Sequence, residues 1–200
     1  MPKKIDHEER KERILKTALA VFAEVGYKDS NLSMIAERCG ISRPTIYQYF
    51  KDKDQIYYYA VKLVTGRLFF ELSSIAFDTE NGDEVDRMLA ICVRIIDSAI
   101  SAEAELTRLM EVMLQQKEFN KDFSAIIYKR TAKLSILFKR LVAYGINHGT
   151  VDSSFTPDMV SKHIFSIMEA ACFRIAFFKN SDRNEMIDFV ASYLTSIRAK

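Results

Sequence analysis

Apolar residues recur three and four positions apart along nearly the whole chain, a spacing that predicts helices rather than strands. From Glu8 to Val25 the stripe runs Ile14, Leu15, Ala18, Val21, Phe22 and Val25, and Gly26 ends it. Two short helical segments follow, up to about Phe50. A long helix from Lys53 to about Ser74 comes next, then a loop over Asp78–Asp83 carrying the turn pair Asn81-Gly82. Further helices are expected near Glu84–Ser101, Ala104–Gln116 and Asn120–Ile146, the last closed by Gly145, Gly149 and the polar residues around them. Thr156 caps, Pro157 opens and Asp158 complements the dipole of a helix reaching about Lys179. A final helix spans roughly Arg183–Arg198. The fold class is all-α, and six glycines and three prolines in 200 residues agree, because a turn-rich β-protein needs more.

Residues 27–56, YKDSNLSMIAERCGISRPTIYQYFKDKDQI, carry the most information. Ser30 or Asn31 can cap a short helix whose Leu32, Ile35 and Ala36 share one face. Gly40 stands where a helix end favours a left-handed residue. Ile41 plugs the turn, Ser42 caps the next helix, and Pro44 sits in its first turn, where a missing N–H costs nothing. Ile46 and Tyr49 or Phe50 can pack inward, leaving Arg43, Thr45, Tyr47 and Gln48 around the exposed side. Asp52 then caps a further helix, with Gln55 completing a capping box. Two helices joined by a tight turn in this way form a helix-turn-helix, which lays its second helix in the DNA major groove.

The segment resembles the DNA-binding domain of the TetR/AcrR transcriptional repressors. The resemblance rests on Gly26-Tyr27, Ile35-Ala36, Gly40, Ser42, Thr45, Ile46, Tyr47, Tyr49, Phe50, Lys53 and Asp54-Gln55-Ile56. Pro44 departs from the Gly or Ala often found there and reshapes the front of the reading helix. The resemblance implies a three-helix DNA-binding domain over residues 1–52 and a helical ligand-binding and dimerisation domain over 53–200, with the long helix from Lys53 as connector. It implies phosphate contacts for Thr45, Tyr47 and Lys53, and backbone or base contact for Ser33. Pro44 and Tyr49 belong to the same surface. From chemistry, Arg43 can make two bonds to guanine, and Gln48 can read an adenine edge or sit near phosphate.

From Ile164 to Phe178 apolar residues occupy nearly every side of the penultimate helix, so it must be covered all round. The last helix offers Met186, Ile187, Val190, Leu194 and Ile197, with Phe189 and Tyr193 beside them. In the family the last two helices of each subunit form a four-helix dimer interface, so a homodimer is expected, with an interface of roughly 2,000 Å² or more.

Charge adds little by amount and something by position. The net charge is +2, but residues 1–53 hold eleven Lys or Arg against eight Asp or Glu, and the remainder eighteen against nineteen. Hydrophobic residues make up 48% of the chain and charged residues 28%, enough to build a core. An N-terminus without an apolar run and the lack of a bilayer-length segment predict a cytoplasmic protein without a membrane span. Cys39, Cys92 and Cys172 are odd in number and far apart, so they read as buried thiols in a reducing compartment.

Eight methionines and fourteen phenylalanines suit an adaptable apolar pocket. Phe69, Met88, Cys92, Met110, Met113, Tyr128, Met168, Cys172 and Phe173 are its candidate lining, although a Met or aromatic stripe is more often ordinary core. Arg94, Glu111, His163, Glu169 and Arg174 interrupt apolar runs and could select a polar group. No phosphate-binding loop, dinucleotide fingerprint, metalloprotease motif or nucleophile elbow is present. His7, His148 and His163 lack ligand-like spacing, so neither a metal nor a cofactor is expected. The sequence therefore points to a ligand-responsive DNA-binding regulator released from a palindromic operator by an apolar or amphipathic effector. An activator, a corepressor-dependent regulator and a helical interaction protein without DNA binding remain alternatives.

Overall fold

The computed structural model describes residues 7–80, 82–116, 121–178 and 181–199, and the side chains of all of these except 64–67, 115–116 and 121–130. Its helices are α1 (His7–Val25), α2 (Leu32–Arg38), α3 (Arg43–Tyr49), α4 (Lys53–Phe77), α5 (Glu84–Ser101), α6 (Glu103–Gln116), α7 (Lys121–His148), α8 (Pro157–Phe177) and α9 (Arg183–Ser196). Among the described residues, β-pairing is confined to one isolated antiparallel bridge, Val151 with Arg198. The fold is all-helical.

Two compact units divide the chain. One takes Met1–Gly66 with Ala104–Ile126, the other Arg67–Glu103 with Ile127–Lys200. The division falls inside α4, so the connecting helix belongs partly to each.

In the first unit α1 packs on α2 and α2 on α3. Ile14, Leu15, Ala18, Leu19, Val21 and Phe22 of α1 meet a core completed by Ile35, Ile46, Phe50 and the start of α4. Val25, the expected end of the α1 stripe, is exposed, because Gly26 at φ 91° turns the chain away. Rings tie the unit together, with Tyr27 edge-on to both Phe22 (5.0 Å) and Tyr57 (5.8 Å).

In the second unit α5 packs on α9 and α8. Val85, Met88, Ile91, Cys92, Ile95, Ile96 and Ala99 give it a continuous buried stripe. A complete capping box opens this helix: Asp83 accepts from Val85 and Asp86, and Asp86 accepts from the Asp83 backbone. Gly145 does not end α7 as expected. It lies inside the helix, where a Cβ would come within 2.5 Å of Val151 Cγ2, so the absent side chain admits the returning chain. The turn itself is made by Gly149 at φ 75°, with Thr150 N–H donating to Gly145 O over 2.8 Å. Helix α8 stops at Phe177 rather than Lys179 because Phe178 turns extended, and Ser181 Oγ donates to the carbonyls of Arg174 and Phe178. Helix α9 ends early as the chain enters the Val151 bridge, where Arg198 binds Asp83 and Asp86.

Among the described residues, one charged cluster is buried. Glu84 accepts from Arg87 (2.7 Å), Thr150 (2.8 Å) and His148, whose Nδ1 lies 2.9 Å away. Burial pushes the Glu84 carboxyl up, but these partners together hold it below its ordinary value of 4.5. A lowered folded value adds stability that is fully present above the unfolded pKa and is lost as pH falls through the folded one. Glu84→Gln is therefore expected to cost about 2 kcal/mol at pH 7, the scale of a hydrogen bond to a charged group. In thermal melts taken from pH 7 down to 3, its deficit against the wild type should shrink below about pH 4.5. A deficit independent of pH would contradict the charged role.

Candidate nucleic-acid interface and ligand cavity

The helix-turn-helix is assembled by its caps. Asn31 Oδ1 accepts the Met34 N–H at 3.1 Å, so Asn31 rather than Ser30 caps α2, and Ser30 Oγ donates instead to Tyr27 O. Gly40 adopts φ 64°, with open space around a would-be Cβ, so its role is conformational. Ser42 Oγ accepts the Thr45 N–H and lies 2.8 Å from Thr45 Oγ1, and Pro44 occupies the first turn of α3. Asp52 accepts the Gln55 N–H as a cap. Gln55 Oε1, however, accepts from Lys51 rather than from the Asp52 backbone, so the reciprocal bond of a capping box is shifted by one residue.

Ile46 and Phe50, both fully buried, seat α3 on the core and fix which residues face out. Arg43, Pro44, Tyr47 and Gln48 are exposed, and Thr45, Tyr49 and Ser33 are half-buried. Arg43 lies over the Tyr47 ring, 5.8 Å from its centroid, which aligns the two side chains on the outer face. Tyr49 is more constrained, with its hydroxyl 2.9 Å from His7 Nδ1.

Lys53 has an unexpected position. Its Nζ donates to the carbonyls of Tyr27 (2.6 Å), Lys28 (2.9 Å) and Ser30 (3.2 Å), and lies 4.7 Å from the Tyr27 ring centroid. An ammonium has three donors, and all three are used here. Beside it the Tyr27 hydroxyl donates to Asp54. Burial and that carboxylate push the Tyr27 phenol up, keeping its proton in place. Lys53 and Asp54 thus fasten the first turn of α4 to the α1–α2 connection. Nothing in the spacing of Lys53 signals this, since the acceptors lie more than twenty residues away.

Among the described residues, none of the candidate ligand residues lines either of the two openings in the second unit. Met88 and Cys92 are fully buried on α5 and Met168 nearly so on α8, while Phe69 and Cys172 are half-buried and Phe173 is exposed. Burial pushes the Cys92 thiol up to about 12 and, with the charge of Glu169, the Cys172 thiol to about 11, so both stay protonated. Met110 and Met113 belong to the first unit. Tyr128 lies outside the described side chains. Several of the polar interruptions are satisfied at the surface: Arg94 by Glu71, His163 by Tyr193 at 3.0 Å, and Arg174 by Glu185 at 3.5 Å.

Two openings in the second unit have other walls. A groove of about 570 Å³ runs between α7 and α8, its Lys139 and Lys162 both held by Asp158. A half-enclosed cavity of about 250 Å³ lies against the end of α4, the start of α5 and the last turns of α7. Its Arg140 and Tyr144 were not anticipated, because on a long amphipathic helix they look like ordinary solvated positions.

A family model described as "Bacterial regulatory proteins, tetR family" matches residues 14–59, the span from the α1 core to the start of α4. The HTH-type transcriptional regulator YerO of Bacillus subtilis is 34% identical over 70 residues, 35% of this chain but only 24% of that protein. The HTH-type transcriptional regulator BetI of Proteus mirabilis is 24% identical over 172 residues, covering 80% of this chain and 86% of its own length. The structure of the Bacillus subtilis regulator FadR in complex with stearoyl-CoA shares the fold, with a TM-score of 0.77, 20% identity, and coverage of 92% of this chain and 97% of FadR. No helix among the described residues is long and apolar enough to cross a membrane. Residues 14–59 thus match the DNA-binding segment of the tetR-family regulators, and the chain as a whole shares the fold of solved regulators of this kind.

Proposed function

We propose that this protein is a dimeric repressor that holds an inverted-repeat operator and releases it when a small molecule binds. The observation that carries the reading is the outer face of α3, where Arg43, Pro44, Tyr47 and Gln48 stand clear of a helix anchored by Ile46 and Phe50. Arg43 reads a guanine edge and Gln48 a neighbouring base, while Ser33, Thr45 and Tyr47 engage phosphates and set register. Tyr49 and Pro44 shape the same face. The protein acts by binding rather than by catalysis, in the cytoplasm where its operator lies.

Two-fold symmetry requires the reading helices to fall roughly 34–36 Å apart, one turn of duplex. An effector that prefers a conformation with a different spacing lowers operator affinity by its differential affinity for the two states. The stearoyl-CoA found with FadR supports a ligand-binding role for this fold.

Selection of bound duplexes from a random pool tests the reading. Enrichment of an inverted repeat is expected, and failure to enrich any sequence across salt and protein concentrations would refute it. On the selected operator, Arg43→Ala is expected to cost on the order of 1–3 kcal/mol and to relax preference at one position per half-site. Equal losses on operator and scrambled duplex would make Arg43 an electrostatic contact only.

A further inference from the structure

We propose that the 250 Å³ cavity beside Arg140 binds a small apolar monocarboxylate, an aryl-alkyl acid of about the size of 3-phenylpropionate. Its floor is apolar: Ala76, Leu137 and Leu141 are buried, and Phe77 closes one side. An apolar cavity of about 150 Å³ is known to admit benzene. A volume of about 250 Å³ therefore takes a ring and a short side chain, and is far too small for an eighteen-carbon acyl group with its carrier.

The polar lining selects the sign of the ligand. The Glu84 oxygens already take Arg87, His148 and Thr150. Arg87 in turn donates to Glu84, to Ala76 O at 3.1 Å and to Asp83 O at 3.3 Å. Arg140 alone among the charged lining residues has no partner among the described residues, and its side chain is exposed. Two guanidiniums against one carboxylate leave the lining net positive, with the one unpaired charge cationic. A ligand cation would meet Arg140 and find no free carboxylate. A ligand carboxylate can take the two parallel bonds that a guanidinium offers. Tyr144, half-exposed and stacked on His148 with 13° between the rings, lines the same cavity and offers a flat surface to an aromatic group.

In naming this cavity the effector site, the inference rests on the ligand-release reading above. The test uses the full-length protein and three probes that differ only in the head group: 3-phenylpropionate, 3-phenylpropanol and 3-phenylpropylamine. Calorimetric titration should rank the acid first and the amine last. Arg140→Gln should weaken the acid at least tenfold and leave the alcohol unchanged, which separates loss of the charge from loss of the fold. Absence of acid binding at millimolar concentration, or equal binding by the Arg140→Gln variant, overturns the site. The same acid is then added to the protein on its selected operator. Release that Arg140→Gln abolishes supports the effector role. Binding through Arg140 without release keeps the site and overturns its role as the inducer site. An operator that some other compound releases, with no binding of the acid, overturns the site and leaves the repressor reading intact.

Discussion

Lys53→Met is expected to weaken operator binding tenfold or more while leaving the salt dependence of that binding unchanged. A lysine that neutralises a phosphate contributes about 0.9 to the logarithmic salt slope, or roughly 1.8 for the two copies in a dimer. The ammonium of Lys53 is committed elsewhere, to the carbonyls of Tyr27, Lys28 and Ser30. Its loss should loosen the α1–α2 connection from the start of α4 and blur the placement of the reading helix. Hydrogen bonds to a charged group are worth about 1.5–3 kcal/mol each. Solvent access at this half-buried side chain discounts that, so a total destabilisation of about 2–3 kcal/mol is expected. The pair of measurements decides between two roles. A lower thermal midpoint with an unchanged slope identifies a positioning residue. An unchanged midpoint with a slope flattened by about 1.8 would restore the phosphate contact that the family resemblance implies.

Introducing glutamates at Phe177 and Phe189 together should split the dimer proposed above and reduce operator affinity by a thousandfold or more. Phe189 is 67% exposed and Phe178 56% in the single chain, and Phe173 packs on Phe177 with ring centroids 4.9 Å apart. Exposed rings on α8 and α9 are the kind of apolar surface that marks a site of protein association. Opposite faces of the same helices supply the core through Val160, Ile164, Met168, Ala171, Val190 and Leu194. The substituted side chains take no part in that core, so the circular dichroism spectrum should be retained. Sedimentation should report half the wild-type mass, and binding should fall because a lone half-site loses the second reading helix. A double variant that stays dimeric would place the interface elsewhere.

Much of the fold was legible because its signals are local. Helix periodicity depends on residues three and four apart, and caps on residues two or three apart. Ser42 and Thr156 were therefore assigned from their neighbours alone, and the structure places them as caps. Where a local rule left alternatives, small competitions settled them. Asn31 took the cap because Ser30 turned back to Tyr27 O, and Gln55 reached Lys51 instead of Asp52. The capping box at Asp83 and Asp86 went unread because the segment before it looked like a plain loop.

By itself, then, the sequence determined an all-helical chain, the helix-turn-helix with its outward Arg43, Tyr47 and Gln48, and a penultimate helix apolar on nearly every side. Each depends on spacing within one helix or one turn. Only the tertiary structure decided that Lys53 clamps carbonyls more than twenty residues away, that Gly145 admits Val151, and that Glu84 is buried under His148 and Thr150. It also decided that Arg140, without a partner among the described residues, lines a cavity. Charge, burial and empty volume at these positions are set by partners distant in sequence, and no local pattern of residues encodes which partner arrives.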